Sequence, residues 1–291
     1  MDDYTIQPKG WKQDMYELSS YDEYAAIKAL RSTQIKILRK SPAHFKAAQI
    51  YQKPISAQLR KSFSKGKAFD TLIMHGQKAF DDLVITEPDL NRNTKRYRAW
   101  KDSIPDDACI LTDQEINDIE AMKQAAERKK QFAKVFCEAG FPHRVLVWQC
   151  ARSGLWCKAE LDWITLSGAV VDLKTTADAS FWAFSRQAYR LGYFNQGAFY
   201  LDGLSHVTGT VHSDFYLAAV EVDPPFESQI FKVSTDQLMK AHTENQDNMM
   251  LLAECFRTDQ WPGYTDEVCD LDSGQHLFDD YENGGGDANG F

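Results

Sequence analysis

No stretch of this 291-residue chain strings together the roughly 20 apolar residues that a membrane span requires, so no membrane association is expected. The six cysteines (Cys109, Cys137, Cys150, Cys157, Cys255 and Cys269) include no C-x-x-C pair, which argues against zinc, disulfides and an iron–sulfur cluster and leaves scattered reduced thiols. The start, Met1-Asp2-Asp3-Tyr4, lacks the basic and apolar segments of a secretion signal, and a cytoplasmic location is the expectation. No internal repeat is present. Lys and Arg are missing from Thr258 to Phe291, a stretch that holds nine acids. The formal charge of −9 therefore sits wholly in this tail, and the body before it balances acids against bases. A neutral body can still carry a basic groove, so net charge neither supports nor excludes a nucleic-acid partner. The remaining composition, 43% hydrophobic and 26% charged, is that of an ordinary globular chain with enough length for a sizeable core. The expected organisation is an arm over residues 1–20, one domain over 21–264 and an acidic tail over 265–291, disordered from Ser273 through Gly284-Gly285-Gly286 to the end.

Chemistry concentrates in Lys158-Ala159-Glu160-Leu161-Asp162-Trp163 and, a few residues on, Gly168-Ala169-Val170-Val171-Asp172-Leu173-Lys174-Thr175-Thr176. The pattern predicts a β-hairpin turning at Ser167-Gly168, where glycine accepts the positive φ that hairpin turns often need. Alternation places Lys158, Glu160 and Asp162 on one face of the first arm and Ala159, Leu161 and Trp163 on the other. The second arm opens apolar, then sets the Asp172 carboxylate beside the Lys174 ammonium. Charges at the end of an apolar hairpin need a match. A divalent cation between Asp162 and Asp172 supplies it, with Lys174 left to stabilise a developing anion or position a water, as phosphodiester cleavage requires. A lone D-x-K triplet more often marks a partly exposed salt bridge, so the surrounding sequence decides.

Around this hairpin the pattern is mixed α and β. Helical periodicity from Tyr21 to Arg39 predicts two short helices meeting near Ser32-Thr33, and Ser41-Pro42-Ala43-His44-Phe45-Lys46 starts another, with serine at the cap and proline at the first helical position. In Gly66 to Phe80, the spacing of Ala68, Leu72 and His75 puts His75 on the apolar face of a helix, where a histidine is more often a core residue than a ligand. Leu83 to Asp107 reads as a strand and then a loop or short helix, whose Lys95-Arg96-Tyr97-Arg98 suits either a nucleic-acid path or a solvated surface. One helix is expected from Thr112 to about Ala139 and a strand from Arg144 to Cys150. A helix from about Ala179 to Leu201 would carry Arg186, Tyr189, Tyr193, Gln196 and Tyr200 on one face, aiming Gln196 and Tyr200 at the acids to hold a nucleotide, a water or Lys174. Strands are predicted at Gly209-Thr210-Val211-His212, Phe215 to Val222 and, as an edge, Ile230 to Val233. A helix over Thr235 to Phe256 follows, and Trp261-Pro262-Gly263-Tyr264 closes the fold.

The order His75, Asp162, Asp172-Leu173-Lys174, then Gln196 with Tyr200 resembles the RecB-type branch of the PD-(D/E)xK nuclease superfamily. The Ser41-Pro42 helix start, Asp172-Leu173-Lys174-Thr175-Thr176, Tyr193 with Gln196, and Trp261-Pro262-Gly263-Tyr264 resemble more narrowly the nuclease domain of RecE (exonuclease VIII) and its phage relatives, over about residues 30 to 264. The resemblance implies an α/β core with a central mixed sheet flanked by helices. It implies a Mg²⁺-dependent exonuclease, with Mn²⁺ as a substitute, acting on linear double-stranded DNA ends from the 5′ side. The 3′ single strand left behind would pass to a single-strand annealing protein in a bacterial or phage-infected cell, and a ring-like homo-oligomer around the DNA is implied. Position by position, His75, Asp162 and Asp172 would bind metal with help from the Leu173 carbonyl, Lys174 would be the catalytic lysine, and Gln196 and Tyr200 would belong to the trailing helix motif. Glu160 departs from the family pattern, which has a basic or neutral residue there, and is read as an extra carboxylate behind the ligands. An endonuclease or single-strand-directed nuclease on the same core, or a catalytically silent DNA-binding subunit, are the alternatives.

Overall fold

A computed structural model describes residues 4–18, 20–51, 57–105, 107–137 and 139–269, with backbone alone at 57–61 and 137. The chain begins with β1 (Asp14–Glu17), α1 (Tyr21–Ala26) and α2 (Ser32–Leu38). The Ser20 hydroxyl caps α1, whereas α2 starts with Arg31 N–H donating to the Gln34 side chain at 2.9 Å. Next come α3 (Pro42–Ile50), capped by Ser41 as expected, and α4 (Ala57–Leu83), interrupted at Gly76, whose φ of 79° only glycine adopts cheaply. A parallel pair, β2 (Val84–Thr86) and β3 (Cys109–Leu111), brackets α5 (Lys95–Asp102). The single helix expected after Thr112 is two, α6 (Asp113–Glu127) and α7 (Lys130–Cys137). Thr112 and Glu115 form a reciprocal cap at the start of α6.

The hairpin region follows as β4 (Gly140–Gln149), β5 (Trp156–Thr165) and β6 (Val170–Thr176), and then α8 (Phe181–Leu191), α9 (Tyr193–Thr208), β7 (Phe215–Glu221), β8 (Ser228–Lys232) and α10 (Thr235–Thr258). The main sheet has the order β1-β4-β5-β6-β7-β8, antiparallel except for the parallel β6–β7 pair. Parallel neighbours need a long crossover, which α8 and α9 supply. One core lies beneath α9 and α10 and buries Trp148, Phe199, Phe215 and Leu252. The other lies beneath α4 and α6 and buries Phe69, Leu72, Ile119 and Val220. The mixed sheet flanked by helices is the architecture expected.

Four expectations are corrected. The stretch before residue 20 is not simply an arm, because β1 pairs with β4 and the buried Tyr4 accepts from Trp156 N at 2.6 Å. The helix predicted from Ala179 to Leu201 breaks at Gly192, where φ is 73°, so Arg186 and Tyr189 lie on α8 and Tyr193, Gln196 and Tyr200 on α9. Gly209-Thr210-Val211-His212 forms no strand; Gly209 caps α9 in a left-handed conformation and Val211 is exposed. His75 does not share the buried face of Ala68 and Leu72 but is exposed, next to the Gly76 break. The chain end from residue 270 lies outside the described residues. Trp261 stacks on Phe45 at 6.1 Å, and Pro262 O accepts from Ala43 N at 3.0 Å, so this segment closes the fold as its aromatic and proline content suggested. Among the described residues no helix is long and apolar enough to cross a membrane.

Candidate active site

The two arms of the hairpin pair through Trp163 with Val171 and Ile164 with Val170, which brings the following residues, Asp162 and Asp172, towards one another where the ladder ends. Strict alternation fails just there. Ala159 and Leu161 join the core under α9, Trp163 packs in the other core, and Ile164 returns to the first. Opposite Asp162 on β4 stands His143, whose φ of 43° takes it out of strand geometry, and the ladder skips that pair. This irregularity re-aims Asp162 towards β6, where its Oδ2 accepts from Leu173 N at 2.8 Å. Lys158, on the face expected to carry the acids, is drawn away from them: its Nζ donates to Tyr24 O and Ile27 O at 2.6 Å each, satisfying the end of α1.

Asp172 is 1% exposed, and Lys174 makes an ion pair with its Oδ2. Lys174 Nζ also lies 4.9 Å from the centroid of the Tyr193 ring, a cation–π contact from the first residue of α9. Gly197 makes this approach possible, since a Cβ there would sit 2.4 Å from the Phe215 ring on β7. With α9 this close, the Gln196 amide donates to the Tyr200 hydroxyl at 2.7 Å. Burial, then the charges of Asp172 and Asp162, push the Tyr200 phenol well above its ordinary range, so it faces the acids as a neutral group. The wall that Gln196 and Tyr200 were expected to form is present, although the helix carrying them starts only at Tyr193.

One carboxylate had not been singled out. Asp70, on α4, projects its charge onto both Asp162 and Asp172 and holds His143 Nε2 at 2.9 Å. The signal was in the sequence, since Asp70 falls between the buried Phe69 and Leu72 on the helix that also carries His75, but only the rotation of α4 shows which polar residue faces the sheet. His75 stacks on His143 with centroids 4.9 Å apart, behind Asp70 rather than beside the hairpin acids. Glu160 Oε1 lies 3.5 Å from His143 Nδ1, so this acid clamps His143 from the other side. His143 thus bridges Asp70 and Glu160.

Electrostatics follow from this packing of like charges. Asp162 is raised well above the usual carboxylate range by burial first, then by Asp172 and Asp70, against relief from Lys174 and the Leu173 N–H. Burial likewise raises Asp172, partly offset by Lys174. Lys174 is held above its ordinary value because the two acids outweigh the cost of its own burial. Burial lowers His143, but the hydrogen bonds that its ring donates to Asp70 and Glu160 and the charges of Asp70 and Asp162 win and carry it from 6.5 to about 10. A folded-state value raised above the unfolded one gives stability that is fully present below about pH 6.5 and lost as pH rises through about 10. Denaturant midpoints of the metal-free protein are therefore expected to fall between pH 7 and 10, and His143→Gln should flatten that decline. An unchanged slope in the variant would show that His143 does not carry it.

Among the described residues no three His, Cys, Asp or Glu side chains are gathered closely enough to hold a metal ion as they stand. Their chemistry nonetheless fits a hard divalent cation. Asp70, Asp162 and Asp172 offer only oxygen, and the last two stay raised above the carboxylate range although Lys174 partly offsets their burial and the charge of Asp70. Asp172 Oδ2 is buried and meets Lys174 as an ion pair. Leu173 offers its carbonyl from between the two charged residues of β6, its N–H being taken by Asp162.

Acids on neighbouring strands, a lysine two residues beyond one of them and a polar helix packed over the set define the PD-(D/E)xK class of nuclease core. The chain belongs to the family described as a PDDEXK-like domain of unknown function (DUF3799), whose model matches residues 31–273. Among solved structures it is similar to a protein of Eubacterium rectale, provisionally assigned as an exonuclease, at 15% identity over 90% of this chain and 98% of that one, with a TM-score of 0.60. That likeness supports the fold. A phage-related exonuclease from Haemophilus somnus 129PT aligns at 12% identity over 79% of this chain and 96% of that one, with a TM-score of 0.32. No curated protein matches the sequence.

Proposed function

We propose that the protein is a divalent-metal-dependent nuclease that degrades linear double-stranded DNA from its ends, 5′ to 3′, leaving 3′ single-stranded tails for an annealing protein, and that it works as a ring-forming homo-oligomer. The observation that carries the nuclease reading is the Asp162, Asp172 and Lys174 set at the end of the β5–β6 ladder, buried and crowded with negative charge. Preference for ends, polarity, the oligomer and the annealing partner rest on the resemblance to RecE-type nucleases.

Asp70, Asp162 and Asp172, with the Leu173 carbonyl, would hold Mg²⁺ or Mn²⁺, and PDDEXK nucleases generally use such ions. When bound, the ion supplies Lewis-acid stabilisation of charge that builds up at phosphorus and on the leaving oxygen. The protein's own groups do the rest. Lys174, kept protonated by the two acids, presents a fixed positive charge to the phosphoryl oxygens. Tyr193 covers the Lys174 ammonium and limits its contact with water. Tyr200 accepts from Gln196, so its phenol hydrogen is turned towards other partners in the pocket. Glu160 acts through His143, which it and Asp70 hold between them.

Incubation with Mg²⁺ of linear duplex labelled at either the 5′ or the 3′ end, beside closed circular duplex, tests the proposal. Early release of the 5′ label from the linear DNA alone is expected. Cutting of the circle would make the protein an endonuclease. The absence of digestion together with no calorimetric binding of Mg²⁺ or Mn²⁺ would reduce it to a binding subunit.

A further inference from the structure

The outer face of α8 is not explained by the cleavage site. Phe181, Trp182 and Tyr189 are 57%, 65% and 49% exposed, an aromatic load that a surface helix does not need for folding. Arg186 and Arg190 share that face at helical spacing. The surface continues onto the end of α2, where Arg39 lies over the Tyr189 ring at 5.6 Å and Lys36 Nζ donates to Leu191 O at 2.8 Å, closing the last turn of α8. Burial lowers Lys36 first, and the neighbouring cations Arg39, Arg190 and Lys40 lower it further. In a body whose acids and bases balance, such a patch of one sign is a site for a polyanion.

The helix is tied to the chemistry at two points. Thr176, two residues past Lys174, donates to Gln187 of α8 at 3.0 Å, and Gly192 hands α8 directly to Tyr193, which covers Lys174. Exposed aromatic faces reward nucleobases only when those are unstacked, which favours a single strand over a duplex. We infer that Trp182, Arg186 and Arg190, continuing onto Arg39 and Lys40, form a track for single-stranded nucleic acid beside the cleavage site. The track gives the proposed nuclease a hold on the strand separated from its complement, and in that sense it rests on the nuclease reading; its test does not require cleavage.

The test is fluorescence anisotropy of a labelled oligothymidine and of a labelled duplex of equal length with the full-length protein in EDTA, alongside digestion of linear duplex in Mg²⁺. Trp182→Ala should weaken oligothymidine binding about 5- to 100-fold, the range of one lost stacking contact, and Trp182→Phe should restore most of it. Arg186→Ala with Arg190→Ala should weaken it and reduce the dependence on salt. Duplex affinity should change less in each variant. These side chains are exposed, and unchanged thermal melting checks that each variant folds. Wild-type affinity in Trp182→Ala, equal weakening for single strand and duplex, or no binding of oligothymidine by the unaltered protein would each overturn the track. If digestion of duplex persists in any of those cases, the nuclease reading survives without it.

Discussion

Asp172→Asn should lower digestion of linear duplex DNA by at least about 10²- to 10³-fold while leaving the melting temperature unchanged or raised. Lys174→Ala should lower digestion as far but melt earlier. The two variants diverge because the site holds one cation against crowded acids. The Asp172 carboxyl is raised above its ordinary range, so its charge costs folding free energy at neutral pH, and neutralising it relieves Asp162 as well. Removing Lys174 takes away the cation both acids depend on. A site built for stability would show the reverse for Asp172, because breaking a satisfied buried ion pair costs about 3–5 kcal/mol. Digestion assays paired with thermal melts decide the matter. Wild-type digestion by either variant would remove the site from the chemistry, and a large drop in melting temperature for Asp172→Asn would make it a structural salt bridge.

Asp70→Asn is expected to cost about 10²-fold or more in activity and to raise the Mg²⁺ concentration needed for half-maximal digestion, because it withdraws one of the three carboxylates proposed to hold the ion. His75→Ala should cost far less. The basis is placement: Asp70 acts directly on Asp162 and Asp172, whereas His75 is exposed and stacks on the His143 ring. Mg²⁺ titrations of the two variants separate them. A shift of equal size in His75→Ala would restore His75 as a ligand, and the absence of a shift in Asp70→Asn would remove Asp70 from the set.

The contrast between Asp70 and His75 shows where a sequence can be read and where it cannot. The hairpin was legible because period-two alternation, the apolar opening of β6 and Gly168 at the turn are all local signals, and Asp172 with Lys174 follows from them. The serine cap at Ser41 marked a helix start for the same reason. The break at Gly192 was hidden because the helical spacing from Arg186 to Tyr200 runs straight through it, and a glycine within a helix leaves no other trace. Gly209 to His212 has a β-branched pattern that suits a strand, yet the parallel β7 begins only at Phe215, and the segment before it serves as the way out of α9. The rotation of α4 about its axis is set by what Phe69 and Leu72 bury against, so the identity of the third carboxylate belongs to packing. The slip at Asp162 likewise depends on His143 across the ladder, on the preceding strand β4, and on no pattern in β5 itself.

The pairing of β1 with β4 sets a timetable for synthesis. Asp14 leaves the ribosome early, but its partner is Val147, so the first strand made must wait for nearly half the chain before it can dock. The β5–β6 hairpin closes between sequence neighbours as soon as it emerges, whereas the loop that β1 has to close is long and entropically slow. During that delay, and in any chain cut just after Glu17, the outer edge of β4 presents unpaired backbone N–H and C=O groups, open to the same edge on another nascent molecule. The amino-terminal strand is therefore expected to act as a guard against self-association, and its removal should show first as lost solubility with the cleavage site still intact.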